Sequence, residues 1–397
     1  MSSSAKQEIS FINTEASVLL DLIRGIAAIL VLLSHWKVMF FVDYPKIPSH
    51  RIWFAIPYVI SDAGHQAVLI FFVLSGYLIS GSVFRSHKRG QWRWRTYLTH
   101  RFVRLWVVLL PGLFLGGVWD WIGLHYVNKA NLYNSISAKS HGMNVSQNLV
   151  ASTLLGNVAF LQTILVPNFG SNAALWSLAN EFWYYILFPL AWLAFRRQTS
   201  VAGRILCLAL LCPLMWATRS SVLPLFPVWL AGTALALLPV PRFERRTRIV
   251  AGVIYTPLIF IFAKVNILPS LLQDYLFGTI TFLFFWILLS ARELSGPSRA
   301  NRLARQSARF SYTLYIVHLP ALLLMTALFV GRRLWSPTDM HHDALALAIL
   351  FALVVYAYLI ASVTEFRTDR VRSWVERNLL RPRSAPPHAK DLASRGN

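Results

Sequence analysis

Residues 18–42 read VLLDLIRGIAAILVLLSHWKVMFFV, an apolar run of 25 residues interrupted only by Asp21, Arg24, Ser34, His35 and Lys37. A helix rises about 1.5 Å per residue, so a run of roughly 17–25 apolar residues is what crosses about 30 Å of hydrocarbon. Nine further runs of this kind lie at 64–84, 102–122, 174–195, 201–217, 221–240, 249–265, 270–290, 311–331 and 343–363. They predict an all-α polytopic membrane protein of about ten transmembrane helices. The stretch 146–166 is apolar enough for a re-entrant or interfacial helix.

Composition excludes the other broad classes. Only 14% of the 397 residues are charged and 56% are hydrophobic, with a mean hydropathy of +0.51. A soluble domain carries roughly 25% charged residues, so this chain lacks the polar surface to face water. It has two cysteines, Cys207 and Cys212, both in one apolar run, which read as packing thiols rather than a disulfide framework.

Charge sets the orientation. Lys and Arg collect in short cytoplasmic loops. With the N-terminus inside and the spans alternating, 28 of the 38 Lys and Arg fall on inner segments and nine on outer ones, leaving Arg24 within the first span. Both termini are therefore expected in the cytoplasm, and a bacterial-type inner membrane is the expected location. Residues 1–17 read as a short N-terminal tail, 18–365 as the membrane domain, and 366–397 as a basic, largely disordered tail. The net charge of +22 is spread over separate inner segments, which fits topology and anionic lipid and gives no nucleic-acid face.

Ionisable groups in hydrocarbon cost a few kcal/mol, so each asks for a partner or a task. Asp21, Arg24 and His35 share one stripe of the first helix, with Arg24 and His35 about 16 Å apart along the axis. They read either as an interfacial ion pair with a packing histidine, or as a functional line. On the fourth span, Ser177, Glu181 and Tyr185 form an i, i+4, i+8 ridge at about the depth of His35. Glu181 either pairs with a cation on another helix or faces a solvated cavity. Arg101 and Arg104 share a face at the inner mouth of the third span, where they anchor the helix or hold phosphates. The outer cluster Asp339, His341, His342 and Asp343 has metal-ligand residue types without a recognised spacing, so no metal is expected.

In order along the chain, the sequence resembles the acyltransferase-3 family of membrane O-acyltransferases. The resemblance rests on LDLIRGIAA at 20–28 with His35, FFVLSGY at 71–77, Arg101-x-x-Arg104, Leu175-Trp176-Ser177 with Glu181, and SYTLY at 311–315 with His318. The chain departs from the family pattern after Arg104, where Leu105-Trp106-Val107-Val108 replaces an aromatic-proline pair. It departs again at Glu365-Phe366-Arg367, which lacks a following proline.

The resemblance implies transfer of an acyl group, most simply acetyl, from cytoplasmic acetyl-CoA to a hydroxyl of a carbohydrate or glycolipid. Acyl-CoA would be a co-substrate, with no tightly bound cofactor. It implies catalytic roles for His35, Arg24, Glu181 and Asp21, donor contacts at Arg101, Arg104, Ser75, Tyr77, Tyr315 and His318, and acceptor contacts at Asn180, Trp176 and Tyr185. His35 would be a general base or become acylated itself. The rival is a proton-coupled transporter using Asp21, Arg24, His35 and Glu181 as its path, although the two halves show no internal repeat.

Overall fold

The computed structural model describes residues 14–47, 52–128, 131–134, 144–265, 268–291, 293, 296 and 298–380. Most of the expected N-terminal tail, Arg51, Lys129, Lys139 and everything past residue 380 lie outside the described residues.

Every extended element is a helix. In chain order these are α1 (Glu15–Phe40), α2 (Ile52–Ser61), α3 (Gly64–Lys88), α4 (Trp94–Ile122), α5 (Val145–Asn148), α6 (Ala151–Val158) and α7 (Leu175–Phe195). There follow α8 (Val201–Thr218), α9 (Phe226–Leu237), α10 (Arg245–Lys264), α11 (Ser270–Leu288), α12 (Arg299–Met325), α13 (Met340–Val363) and α14 (Thr368–Val375). Eight of the described helical segments are long and apolar enough to span a bilayer. Two of the expected ten fall short of that measure: α7 has the length but carries Asn180 and Glu181, and α9, with the turn before it, is apolar but short.

Local chemistry explains the boundaries. Thr14 caps α1 by accepting the Ser17 N–H at 3.3 Å, and Ser298 caps α12 by accepting that of Asn301 at 3.1 Å. That cap starts α12 well before the apolar run at 311, because the Arg- and Ala-rich stretch between is strongly helix-forming. The stretch 146–166 forms no single helix; α5 and α6 are followed by an irregular loop reaching α7. Residues 368–380, placed by composition in a disordered tail, are helical.

α12 is the central element. Of its apolar window 78% is buried, against 11% for α10 at the rim. It packs along α1, α4 and α13, while α3 packs along α9 and bridges to α1. The α3–α9 crossing is backbone to backbone: a Cβ on Gly76 would collide with the Trp229 carbonyl oxygen, and one on Gly232 with that of Val73.

The loop ahead of α7 is bonded down onto the bundle. Buried Asp120 of α4 accepts from the Ser171 N–H at 2.7 Å and from the Ser171 hydroxyl at 2.6 Å. Beside it Gly170 has φ +59°, and a Cβ there would strike the Asp120 carboxylate, so glycine is required on two counts. At the same end of the bundle Asp62 bridges Lys37 of α1 and Lys264 of α10.

Candidate active site

Two cavities run in series through the bundle. The inner one, of about 80 Å³, lies between α1, α3, α4, α7 and α12. Phe71, Phe72, Leu74 and Leu78 of α3 make it largely apolar, and Ser75, Glu181, Tyr185, Ser311 and Tyr315 supply polar groups. The second, of about 310 Å³, lies at the end where α14 packs on α4. Five arginines line it, Arg24, Arg101, Arg104, Arg309 and Arg372, against the carboxylates of Glu365 and Asp369. Arg24, Arg104 and Tyr312 belong to both linings, so the cavities meet at a pair of guanidiniums.

The arginines differ in how they are held. Arg24 is fixed by α12: its Nε donates to Ser311 Oγ at 3.3 Å and its Nη2 to the Ala308 carbonyl at 3.1 Å. Asp21, which the sequence offered as its ion-pair partner, forms no ion pair with it among the described residues and lines neither cavity. Arg101 lies over the rings of Tyr97 and Tyr185 at 5.4 and 5.8 Å and donates to Ser82 Oγ at 3.2 Å. Its buried Nε has no partner among the described residues. Arg104 has neither a hydrogen bond nor an ion pair among the described residues, although it faces both cavities. The carboxylates of Glu181 and Glu365 line the same two cavities and act on it electrostatically without forming an ion pair.

Deeper in, Glu181 pairs with no cation among the described residues. Its Oε1 accepts from Ser75 Oγ at 3.1 Å and from the Tyr185 hydroxyl. Ser75 Oγ in turn accepts from Trp229 Nε1 at 3.3 Å. The α3–α9 crossing thereby sets the carboxylate: Gly76 lets Trp229 close in, Trp229 holds Ser75, and Ser75 holds Glu181. The far end is closed by Phe71 and Tyr315, with the Tyr315 hydroxyl 2.6 Å from Ser177 Oγ.

Beyond Tyr315 stand two histidines. His35 Nδ1 is 2.8 Å from His318 Nε2, with the rings stacked at 5.0 Å between centroids. His318 Nδ1 lies 2.9 Å from the Leu314 carbonyl, which only accepts, so that nitrogen carries the proton. With His318 neutral, its Nε2 accepts and His35 donates from Nδ1. The His35 imidazole is thus oriented by another histidine, while Glu181 bonds Ser75 and Tyr185.

Of the remaining expected site residues, Arg24, Arg101, Arg104, Ser75, Glu181, Tyr185 and Tyr315 line one or both cavities. His35, His318, Asp21, Tyr77, Asn180 and Trp176 do not. Asn180 is completely buried, and Trp176 packs edge-on to Phe72 at 6.1 Å. Asp339 caps α13 by accepting the His341 N–H at 3.0 Å and contacts His342 at 2.9 Å.

Glu365, Tyr312, Arg309 and Arg372 escaped the sequence reading as site residues. Glu365 accepts from the Thr313 N–H at 3.0 Å and hydroxyl at 2.8 Å, and Arg309 stacks over Phe366 at 4.7 Å. Only Glu365 carried a usable signal, being an ionisable residue at the end of an apolar run.

The bundle thus combines an arginine-lined vestibule, a largely apolar chamber and a histidine pair beyond Tyr315. Consistent with this, a family model described as an acyltransferase domain, Acyl_transf_3, matches residues 18–365. The chain belongs to that family of membrane acyltransferases. No curated protein and no solved structure matches it.

Proposed function

We propose that the protein transfers an acyl group, acetyl in the simplest case, from cytoplasmic acyl-CoA to a carbohydrate hydroxyl. The observation that carries this reading is Arg104, unpaired at the junction of a basic vestibule and an apolar chamber. The donor's phosphates satisfy Arg104 and Arg101, and Arg24 lies at the same junction. The pantetheine arm passes Tyr312 into the chamber along Ser75, Glu181 and Tyr315, bringing the thioester toward the histidine pair.

The acceptor hydroxyl oxygen attacks the thioester carbonyl carbon while His35 Nε2 takes the hydroxyl proton. The new C–O bond forms, the C–S bond breaks, and the proton on His35 passes to the departing thiolate, leaving free CoA. His318 stabilises the imidazolium by accepting from His35 Nδ1, the orienting role that a carboxylate fills elsewhere. Glu181 with Tyr185 forms the polar wall facing the acceptor, and Asn180 acts through the packing of α7.

The test is turnover of acetyl-CoA by purified protein supplied with membrane glycans, comparing wild type with His35→Ala at matched thermal stability. Thiol release and label on the glycan, both lost in the variant, are the expected result. Wild-type rates in His35→Ala would overturn the assignment.

A further inference from the structure

The histidine pair depends on α12 keeping one geometry around residue 318, and α12 carries a built-in defect there. Pro320 has no N–H, so the Ile316 carbonyl loses its helical partner four residues on, and the ring crowds that turn. The freed carbonyl is not left bare. Asn172, from the loop ahead of α7, donates from Nδ2 to Ile316 O at 2.8 Å, inside the protein and 2% exposed.

The arrangement around that bond is built to hold it. Ser171, the preceding residue, is clamped by both oxygens of Asp120. Asn172 itself donates its N–H to Phe169 O at 3.2 Å and accepts from Leu175 N–H at 3.2 Å, which ties it to the start of α7. On the opposite side Gly112 of α4 leaves room for the Ile316 side chain, which a Cβ would strike. Ile316 lies two residues before His318 and two after Leu314, whose carbonyl fixes the His318 tautomer. The interrupted turn therefore contains the histidine.

We propose that Asn172 is a positioning residue for acyl transfer: by capping the carbonyl that Pro320 strands, it holds His318 in register with His35. This rests on the reading that the histidine pair does the proton transfer. An unsatisfied buried carbonyl is costly enough to drive a kinked turn toward another geometry. A small displacement of a catalytic group far from the mutated site costs up to about 100-fold in rate.

The experiment is a double-mutant cycle on the full chain, reading kcat and KM for acetyl-CoA and the pH dependence of kcat. Asn172→Ala is expected to lower kcat about tenfold or more with KM within twofold, and to move the acid limb of the pH profile. Pro320→Ala restores a backbone N–H for Ile316, so Asn172→Ala in that background should cost less than about threefold. Should Asn172→Ala alone fail to fold, the comparison of Pro320→Ala with the double variant still decides.

A tenfold loss in the Pro320→Ala background, or wild-type kcat in Asn172→Ala, overturns the proposal. So does a loss confined to KM or one that leaves the pH profile unmoved. Wild-type activity in His35→Ala would instead overturn the reading beneath it.

Discussion

At the scale of single residues, the site is governed by which charges are satisfied within the protein and which are left for a ligand. Arg24 is bonded into α12, whereas Arg104 has no partner among the described residues. Arg104→Ala should therefore raise KM for acyl-CoA at least tenfold with little change in melting temperature, since no hydrogen bond or ion pair among the described residues is lost. Arg104→Lys should recover only part of the loss, because an ammonium cannot grip two phosphate oxygens in one plane. Initial-rate kinetics and a thermal melt check both. Glu181→Gln keeps an oxygen for Ser75 and Tyr185 to donate to, so it removes charge while retaining shape. A fall in kcat of about tenfold with unchanged stability assigns the role to the charge; an unchanged kcat reduces Glu181 to a hydrogen-bond acceptor. Much of this was legible in the sequence, since Arg24, Glu181 and His35 are conspicuous wherever hydrocarbon surrounds them. Which residue partners which was not: the His35–His318 bond joins positions 283 apart, a relation no local pattern encodes.

At the scale of elements, two helices bearing site residues contain a proline whose freed carbonyl is capped by a side chain from another element. Pro189 strands the Tyr185 carbonyl in α7, and the Tyr97 hydroxyl of α4 donates to it at 3.0 Å. Tyr97→Phe leaves that carbonyl bare and should cost about 1–3 kcal/mol of stability, read as a lower melting temperature in detergent. Tyr185 and Glu181 share that turn, so kcat should fall as well. The α3–α9 crossing is less forgiving. Gly76→Val forces apart two backbones now in contact and should abolish stable expression, whereas Gly252→Ala, where a Cβ meets open space, should be silent. The helices themselves were readable because hydropathy and length decide them. The α3–α9 contact, the divided 146–166 stretch and the early start of α12 were not, since they follow from tertiary packing and one serine cap.

At the scale of the whole molecule, the mouth is completed by a segment that composition alone assigned to a tail. Asp369 and Arg372 of α14 line the vestibule, and His100 of α4 is in contact with Glu376 just beyond it. Deleting residues 368–397 should raise KM for the donor several-fold while leaving kcat within about twofold, measured by initial rates at saturating acceptor. A drop in kcat with unchanged KM would sink that assignment. The docking of this stretch on α4 was not legible, because a short basic amphipathic stretch is compositionally close to a disordered one even with Val371, Trp374 and Val375 at helical spacing. The junction where Arg24, Arg104 and Tyr312 serve both cavities has a kinetic consequence. A donor threaded past those three side chains has to back out along the same course once spent, so product and incoming reagent queue at one door. Free CoA should then compete with acyl-CoA while acceptor concentration leaves that inhibition unrelieved, and the tempo of the cycle would be set by how quickly two guanidiniums let go.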